Sequence, residues 1–211
     1  MAVIGVPQSG SSLGVCTTDD VKTRLAISKS DYDVMIAAII TGLTGRFDAF
    51  CGRTLLQPAA DVTEYYTGGS PYMQLDRYPL VSITSIKEAW DRDFDNATAI
   101  TAEEDYWPMG LGKNGILFRE AVVWPRKPDS IQVIYRGGYA AAGEEPGEGE
   151  ISLPAEIREA GIQQASLIYK RRDDIGLSAV GFEGGSMNKF AALKLLPDVE
   201  SVLKQYRRPS L

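Results

Sequence analysis

Residues 30–52, SDYDVMIAAIITGLTGRFDAFCG, decide how the rest of the chain is read. Ile36, Ile39, Ile40, Leu43, Phe47 and Phe50 recur there at three- and four-residue intervals, the period that lays apolar side chains along one face of an α-helix. Ser30 stands as N-cap with Asp33 three residues on, in capping-box position, and Gly52 sits where a C-cap glycine belongs. The spacing predicts one helix of about 20 residues, about 30 Å long.

Upstream, Thr17 or Thr18 reads as an N-cap, with Asp19 and Asp20 in the first turn where the helix dipole favours acids. Val21 and Leu25 give this short helix its apolar stripe, ending near Ile27. Residues 1–16 are small, polar and Gly/Ser-rich and read as a flexible arm. Downstream of Pro58 the period changes from helical to alternating. Val62–Thr67, Tyr72–Leu75, Val81–Ile86, Ile116–Phe118, Val122–Trp124 and Ile131–Tyr135 read as strands, and the Ala/Gly/Glu-rich stretch Ala140–Glu150 as a loop.

Helix returns at Leu153-Pro154, where proline is tolerated in the first turn. Ile157, Ala160, Gly161, Gln164, Leu167 and Ile168 share one side as far as Lys170-Arg171-Arg172. Residues 173–188 are Gly-rich and read as mobile, and a last helical stretch runs near Phe190–Leu195 and from Pro197 to Arg208. The expected fold is α+β: a helical frame of two N-terminal and two C-terminal helices (17–57 and 151–211) with an inserted antiparallel β-rich subdomain (58–150).

Charge is uneven. Residues 1–58 carry five acids and five bases, 59–150 sixteen acids and eight bases, and 151–211 seven acids and nine bases, which sums to the net charge of −6. An acidic middle argues against gripping nucleic acid through phosphates, which needs clustered Lys and Arg, but suits a surface that DNA merely passes. Histidine is absent, which removes the commonest general base and metal ligand, and no enzyme, cofactor or metal is expected. No run approaches the length of a membrane span, Met1–Gly5 does not open like a signal peptide, and Cys16 and Cys51 make no disulfide framework.

Three stretches imitate chemical motifs. Gly110-Leu111-Gly112-Lys113-Asn114-Gly115 matches the dinucleotide fingerprint, but a β-like segment follows it instead of a helix, and Asn114-Gly115 is a hairpin-turn signal. Gly10-Ser11-Ser12-Leu13-Gly14 fits the nucleophile-elbow pattern without a base. Asp91, Asp93 and Asp95 alternate as in a calcium loop, yet Asn96 and Ala102 stand where its glycine and glutamate belong, so a solvated acidic turn is expected. The aromatic residues at 65, 66, 72, 90, 106, 107 and 124 are expected to fill a sheet core.

Taken in order, several segments resemble one family. Thr18-Asp19-Asp20-Val21-Lys22, then Asp33 through Ile36, Ile40 and Phe47 to Cys51-Gly52-Arg53-Thr54-Leu55, resembles the N-terminal half of the head–tail connector (adaptor, or head-completion) proteins of long-tailed bacteriophages. Pro79–Ile83 and Val133–Tyr139 are similar to strand signatures of its larger members, Leu153–Ile157 to Arg172 to its second long helix, and Leu203–Arg208 to its C-terminal end.

The resemblance implies a structural virion protein of the neck, present in the host cytoplasm before assembly. It implies self-association into a ring below the portal, a dodecamer of about twelve copies, through which DNA passes without specific binding. The portal and a downstream neck or tail protein would be its partners, with no membrane role. The C-terminal Lys204, Tyr206, Arg207 and Arg208 would carry the portal contact. Another neck component, such as a stopper or tail terminator, and a non-viral β-rich binding module are the alternatives.

Overall fold

The computed structural model describes residues 14–172, 179–181, 187–189 and 194–209. Most of the N-terminal arm, with Gly10–Leu13 of the apparent elbow, and most of the Gly-rich 173–188 stretch lie outside these residues, as do 190–193 of the last helical stretch.

Helix α1 (Thr18–Leu25) is capped by Thr17: its hydroxyl accepts from Asp20 N at 3.1 Å, while the Asp20 carboxylate accepts from Thr17 N at 3.0 Å. Helix α2 (Asp33–Cys51) ends at Gly52 with φ 66, as expected of a C-cap. Its start differs from the expected capping box. Tyr32 is the cap and offers no side-chain bond, and the Asp33 carboxylate is instead drawn 2.8 Å to Lys22 Nζ, tying α2 to α1.

Helix α3 (Ala155–Lys170) starts after Pro154, and α4 (Pro197–Lys204) carries its proline in the first turn. Helix α4 stops four residues short of the expected Arg208. There the backbone swings away, and Arg208 N donates to Cys51 O at 2.8 Å, satisfying one of the carbonyls that the end of α2 leaves open.

Helix α3 is the centre of the frame, packed by the other three. Ile157, Ala160 and Ala165 of α3 meet Ile36, Ile40, Leu43 and Phe47 of α2, Val21 of α1, and Val199 and Leu203 of α4. Burying each of the larger side chains contributes about 1.5–3 kcal/mol. Arg158 of α3 donates to both Asp20 oxygens, at 2.9 and 2.7 Å. Burial pushes the Asp20 carboxyl up, but these bonds and those with Thr17 outweigh it and hold the group below its ordinary value.

The middle of the chain is β-rich, giving the α+β fold. Strands β1 (Val62–Tyr66), β7 (Ile131–Gly137), β3 (Leu80–Glu88) and β4 (Ala99–Ile100) form one antiparallel sheet in that spatial order. Strands β2 (Tyr72–Gln74), β6 (Ile116–Phe118) and β5 (Trp107–Pro108) form a second. Met73, Leu75, Ile86, Tyr106, Leu117, Trp124, Ile131, Val133 and Tyr135 are buried together as a core separate from that of the helices. Strands β10 (Ala179–Gly181) and β11 (Met187–Lys189) pair by themselves.

Four expectations need correcting. Val122–Trp124 is not a strand: Val122 and Val123 are exposed while Trp124 is buried, its backbone N and O bonded to Ser70 O and Gly69 N at 3.1 and 2.8 Å. Residues 140–150 are not all loop, since Tyr139–Ala140 (β8) pairs in parallel with Ile151–Ser152 (β9) and Ala141 is buried in the helical core. Tyr66, Tyr106 and Trp124 join the sheet core, but Tyr65 and Tyr72 are exposed on the outer faces of their strands, Trp90 is exposed in the turn after β3, and Trp107 is half-buried outside that core. Helix α2 is long and apolar enough, by length and composition alone, to cross a bilayer. Here its inner face is spent on the helical core.

The two cores meet at a narrow crossing. Tyr139 N donates to Leu55 O at 2.8 Å and Gln57 N to Tyr139 O at 2.9 Å. The buried Arg53 guanidinium stacks 3.3 Å from the centre of the Tyr78 ring and donates to Tyr78 O. Gly138 has φ 107, and a Cβ there would stand 2.7 Å from Leu56 C and Gln57 N. No L side chain fits both conditions. Gly138→Ala should therefore lower unfolding free energy by about 2–4 kcal/mol, from the positive φ together with overpacking. Urea unfolding measures it, and a loss well under 1 kcal/mol would show that the crossing yields.

Candidate assembly interface

The C-terminal residues singled out in the sequence do come together, but mostly on their own chain. Tyr206 OH donates to a Glu156 oxygen at the start of α3, and its ring meets that of Tyr139 edge-on, centres 6.4 Å apart. Burial and the Glu156 carboxylate push the Tyr206 hydroxyl above the ordinary tyrosine range. Arg207 holds its guanidinium 5.7 Å from the centre of the Phe50 ring of α2. Arg208 donates to Gln74 O at 2.9 Å and lies 3.4 Å from an Asp76 oxygen. Lys204 stands exposed in the last turn of α4.

The anchor for Arg208 belongs to a polar knot that the sequence reading passed over. Val62, Glu64 and Tyr66 share the inner face of β1, opposite Tyr135, Val133 and Ile131 of β7. Glu64 thus enters a face of apolar and aromatic groups. Tyr135 OH donates to a Glu64 oxygen at 2.6 Å, Tyr66 OH donates to the same oxygen, and Arg77 Nε donates to the other at 3.1 Å. The two hydroxyls in turn accept from Asp76 N and Arg77 N, both at 3.0 Å.

Every hydroxyl in the knot therefore has a donor and an acceptor role, as groups away from water require. Burial and the Glu64 carboxylate push both hydroxyls well above the ordinary tyrosine range, so neither titrates near neutrality. Asp76 extends the knot outward. It accepts from Thr54 Oγ1 at 2.9 Å, on the helical side of the crossing, and faces Arg208. The signal for this was one acid at an inward position of an alternating strand.

The two imitated motifs that lie among the described residues serve the fold. Strand β5 leads through a 3-10 turn (Met109–Gly112) to β6 as a hairpin, and Gly110, Gly112 and Gly115 all have positive φ in its loop. A strand follows the glycines where the fingerprint requires a helix to present its N-terminus. Asp91, Asp93 and Asn96 form a local turn in which Asp93 N donates to Asp91 at 3.1 Å and Asn96 Nδ2 to Asp93 at 2.7 Å. The Cys16 and Cys51 thiols are buried and free, pushed up by burial to about 12 and about 11, far from a nucleophilic thiolate.

A family model described as "Head completion protein" matches residues 14–209, which takes in both helical parts, the sheets and the docked tail. The chain belongs to the head completion protein family. That bears out the resemblance to head–tail connector proteins carried by Thr18–Leu55 and Leu203–Arg208. Solved structures share the fold of this head completion chain. One, "Neck of empty GTA particle computed with C6 symmetry", is 14% identical, with 99% of this chain and 95% of that chain covered and a TM-score of 0.58. A second, "Neck of native GTA particle computed with C12 symmetry", is 14% identical over 99% and 94%, at 0.58. A third, "Virion of native gene transfer agent (GTA) particle", is 13% identical over 98% and 96%, at 0.61. No curated protein matches.

Glu64→Ala should strip both tyrosine hydroxyls and Arg77 of their shared acceptor and destabilise the chain by about 2–4 kcal/mol. Tyr66→Phe, which leaves the carboxylate two of its donors, should cost about 1 kcal/mol. Equal losses in the two variants, read by urea unfolding, would mean that Glu64 is not the centre of the knot.

Proposed function

We propose that the chain is a non-enzymatic structural protein of the neck of a tailed, phage-like particle, the adaptor that forms a ring below the portal, extends the DNA channel and receives the tail. The family match over residues 14–209 carries this reading. The symmetric necks that share the fold support a ring, and one of them was computed with twelvefold symmetry. In this reading the helical frame, 17–57 and 151–211, builds the ring wall, and the acidic segment 58–150 lies where like charge keeps it from gripping the duplex.

The tail is the proposed portal contact, and its geometry divides the work. Tyr206 and Arg208 hold the segment against Glu156, Gln74 and Asp76, while Lys204 and Arg207 keep exposed cations for an acidic portal surface. A mutant lacking the protein should yield DNA-filled or leaky heads without tails, scored by electron microscopy. Normal tailed particles would sink the adaptor reading.

The double variant Lys204→Glu with Arg207→Glu should fold normally and lose portal binding at least about tenfold, an effect most marked at low salt. Undiminished binding moves the contact to another surface.

A further inference from the structure

Helix α2 has two faces, and the helical core uses only one. Eight of its 19 residues are exposed: Val34, Met35, Ala38, Thr41, Gly42, Gly45, Arg46 and Ala49. Exposed helix faces are ordinarily polar. This one carries a single charge, at Arg46, over roughly 22 Å of helix. Val34 leaves 85% of its surface exposed and Met35 43%. Thr41 turns its hydroxyl to Ala37 O at 3.0 Å, so the face is poorer in hydrogen-bonding groups than its composition implies.

The glycines sharpen the point. A Cβ added at Gly42 or at Gly45 would meet nothing within 4 Å. Neither glycine is therefore demanded by packing among the described residues, yet glycine inside a helix is disfavoured against alanine. What glycine provides on an outer face is close approach of another backbone.

We propose that the exposed face of α2, from Val34 to Ala49, is the surface on which the next copy of this chain seats in the ring. Resting on the neck-ring reading, the inference adds which face closes the ring. A closed ring is built from heterologous contacts, so each copy must present one such face to its neighbour. Copies with a net charge of −6 repel, and the face with one charge in eight residues is where two of them approach at the least electrostatic cost. An apolar face makes a poor channel wall, because hydrated phosphates offer it nothing to bury.

The test uses assembled particles. The native cysteines are both buried, so Ala38→Cys gives one reactive thiol, which is labelled with benzophenone maleimide before incorporation and irradiated afterwards. The expected adduct is a dimer of the 23.0 kDa chain. An adduct with a different particle protein, or with lipid, overturns the proposal. Absence of the unlabelled parent chain from purified particles would instead fail the neck reading itself.

Substitutions at the glycines give a second arm. Gly42→Ala and Gly45→Ala should each raise the melting temperature of the isolated chain by about 2–4 °C, since nothing among the described residues opposes the added methyl. Gly42→Leu combined with Gly45→Leu should melt no lower than the parent and yet fall at least about tenfold in incorporation. Normal incorporation of the leucine variant overturns the proposal.

Discussion

The molecule depends on the crossing where Tyr139 is clasped between Leu55 and Gln57. Its N–H and C=O are both spent there, at 2.8 and 2.9 Å, and together with the Thr54–Arg77 bridge they tie the segment after α2 to the chain leaving the sheet, between a helical core and a sheet core that bury separate side chains. A crossing this narrow tolerates little substitution. Gly138 must pass against Leu56, and Gly137 against Arg77 O, where a Cβ would stand 2.5 Å away. Arg53 fills the remaining space with a flat cation laid on Tyr78, using stacking where an aliphatic side chain would leave a gap.

Polar groups rather than apolar ones reach across this boundary, and that follows from its shape. Since the helical and sheet cores bury separate side chains, apolar packing within each does not by itself fix one against the other. Directional bonds can do so, provided that every group is satisfied. Glu64 gathers Tyr66, Tyr135 and Arg77 on the sheet side, and Asp76 takes Thr54 from the helical side. Arg208 closes the set from the far end of the sequence, bonding Cys51 O with its backbone and Gln74 O with its side chain. The C-terminal segment is thus a strut between the two bodies, and a tail of this kind can present cations without itself being loose.

The frame was legible because helix signals are local. Thr17 with Asp20, Gly52, and Pro197 each act within one turn of the residues they cap or start. Strands Val62–Tyr66, Leu80–Glu88 and Ile131–Gly137 were legible for the same reason, as runs of alternation. What could not be read were outcomes decided at long range. Asp33 looked like a capping partner and became a salt-bridge partner of Lys22. Val122–Trp124 has strand composition, but the backbone of Trp124 is claimed by Ser70 and Gly69. The ties of the tail to its own chain could not be read either, because nothing near Arg208 in sequence announces Asp76, 132 residues away.

Helix α2 shows why a clean helical period can still mislead about environment. Val34, Ala37, Ala38, Gly42, Gly45 and Ala49 fill the gaps between its core positions with apolar or small residues, so its apolarity runs nearly all round. Such a helix is usually sunk in a large core or in a bilayer. Here the core takes Ile36, Ile40, Leu43, Phe47 and Cys51, leaving the opposite face bare. In the proposed ring both faces would be spent, one on folding and the other on the neighbour, and the two demands would compete for the same 19 residues. Residues small enough for close approach are poor at stabilising a helix, and residues apolar enough to associate are a liability before assembly. A net charge of −6 would offset the second cost by repulsion between copies, so that on this proposal α2 need not be made polar.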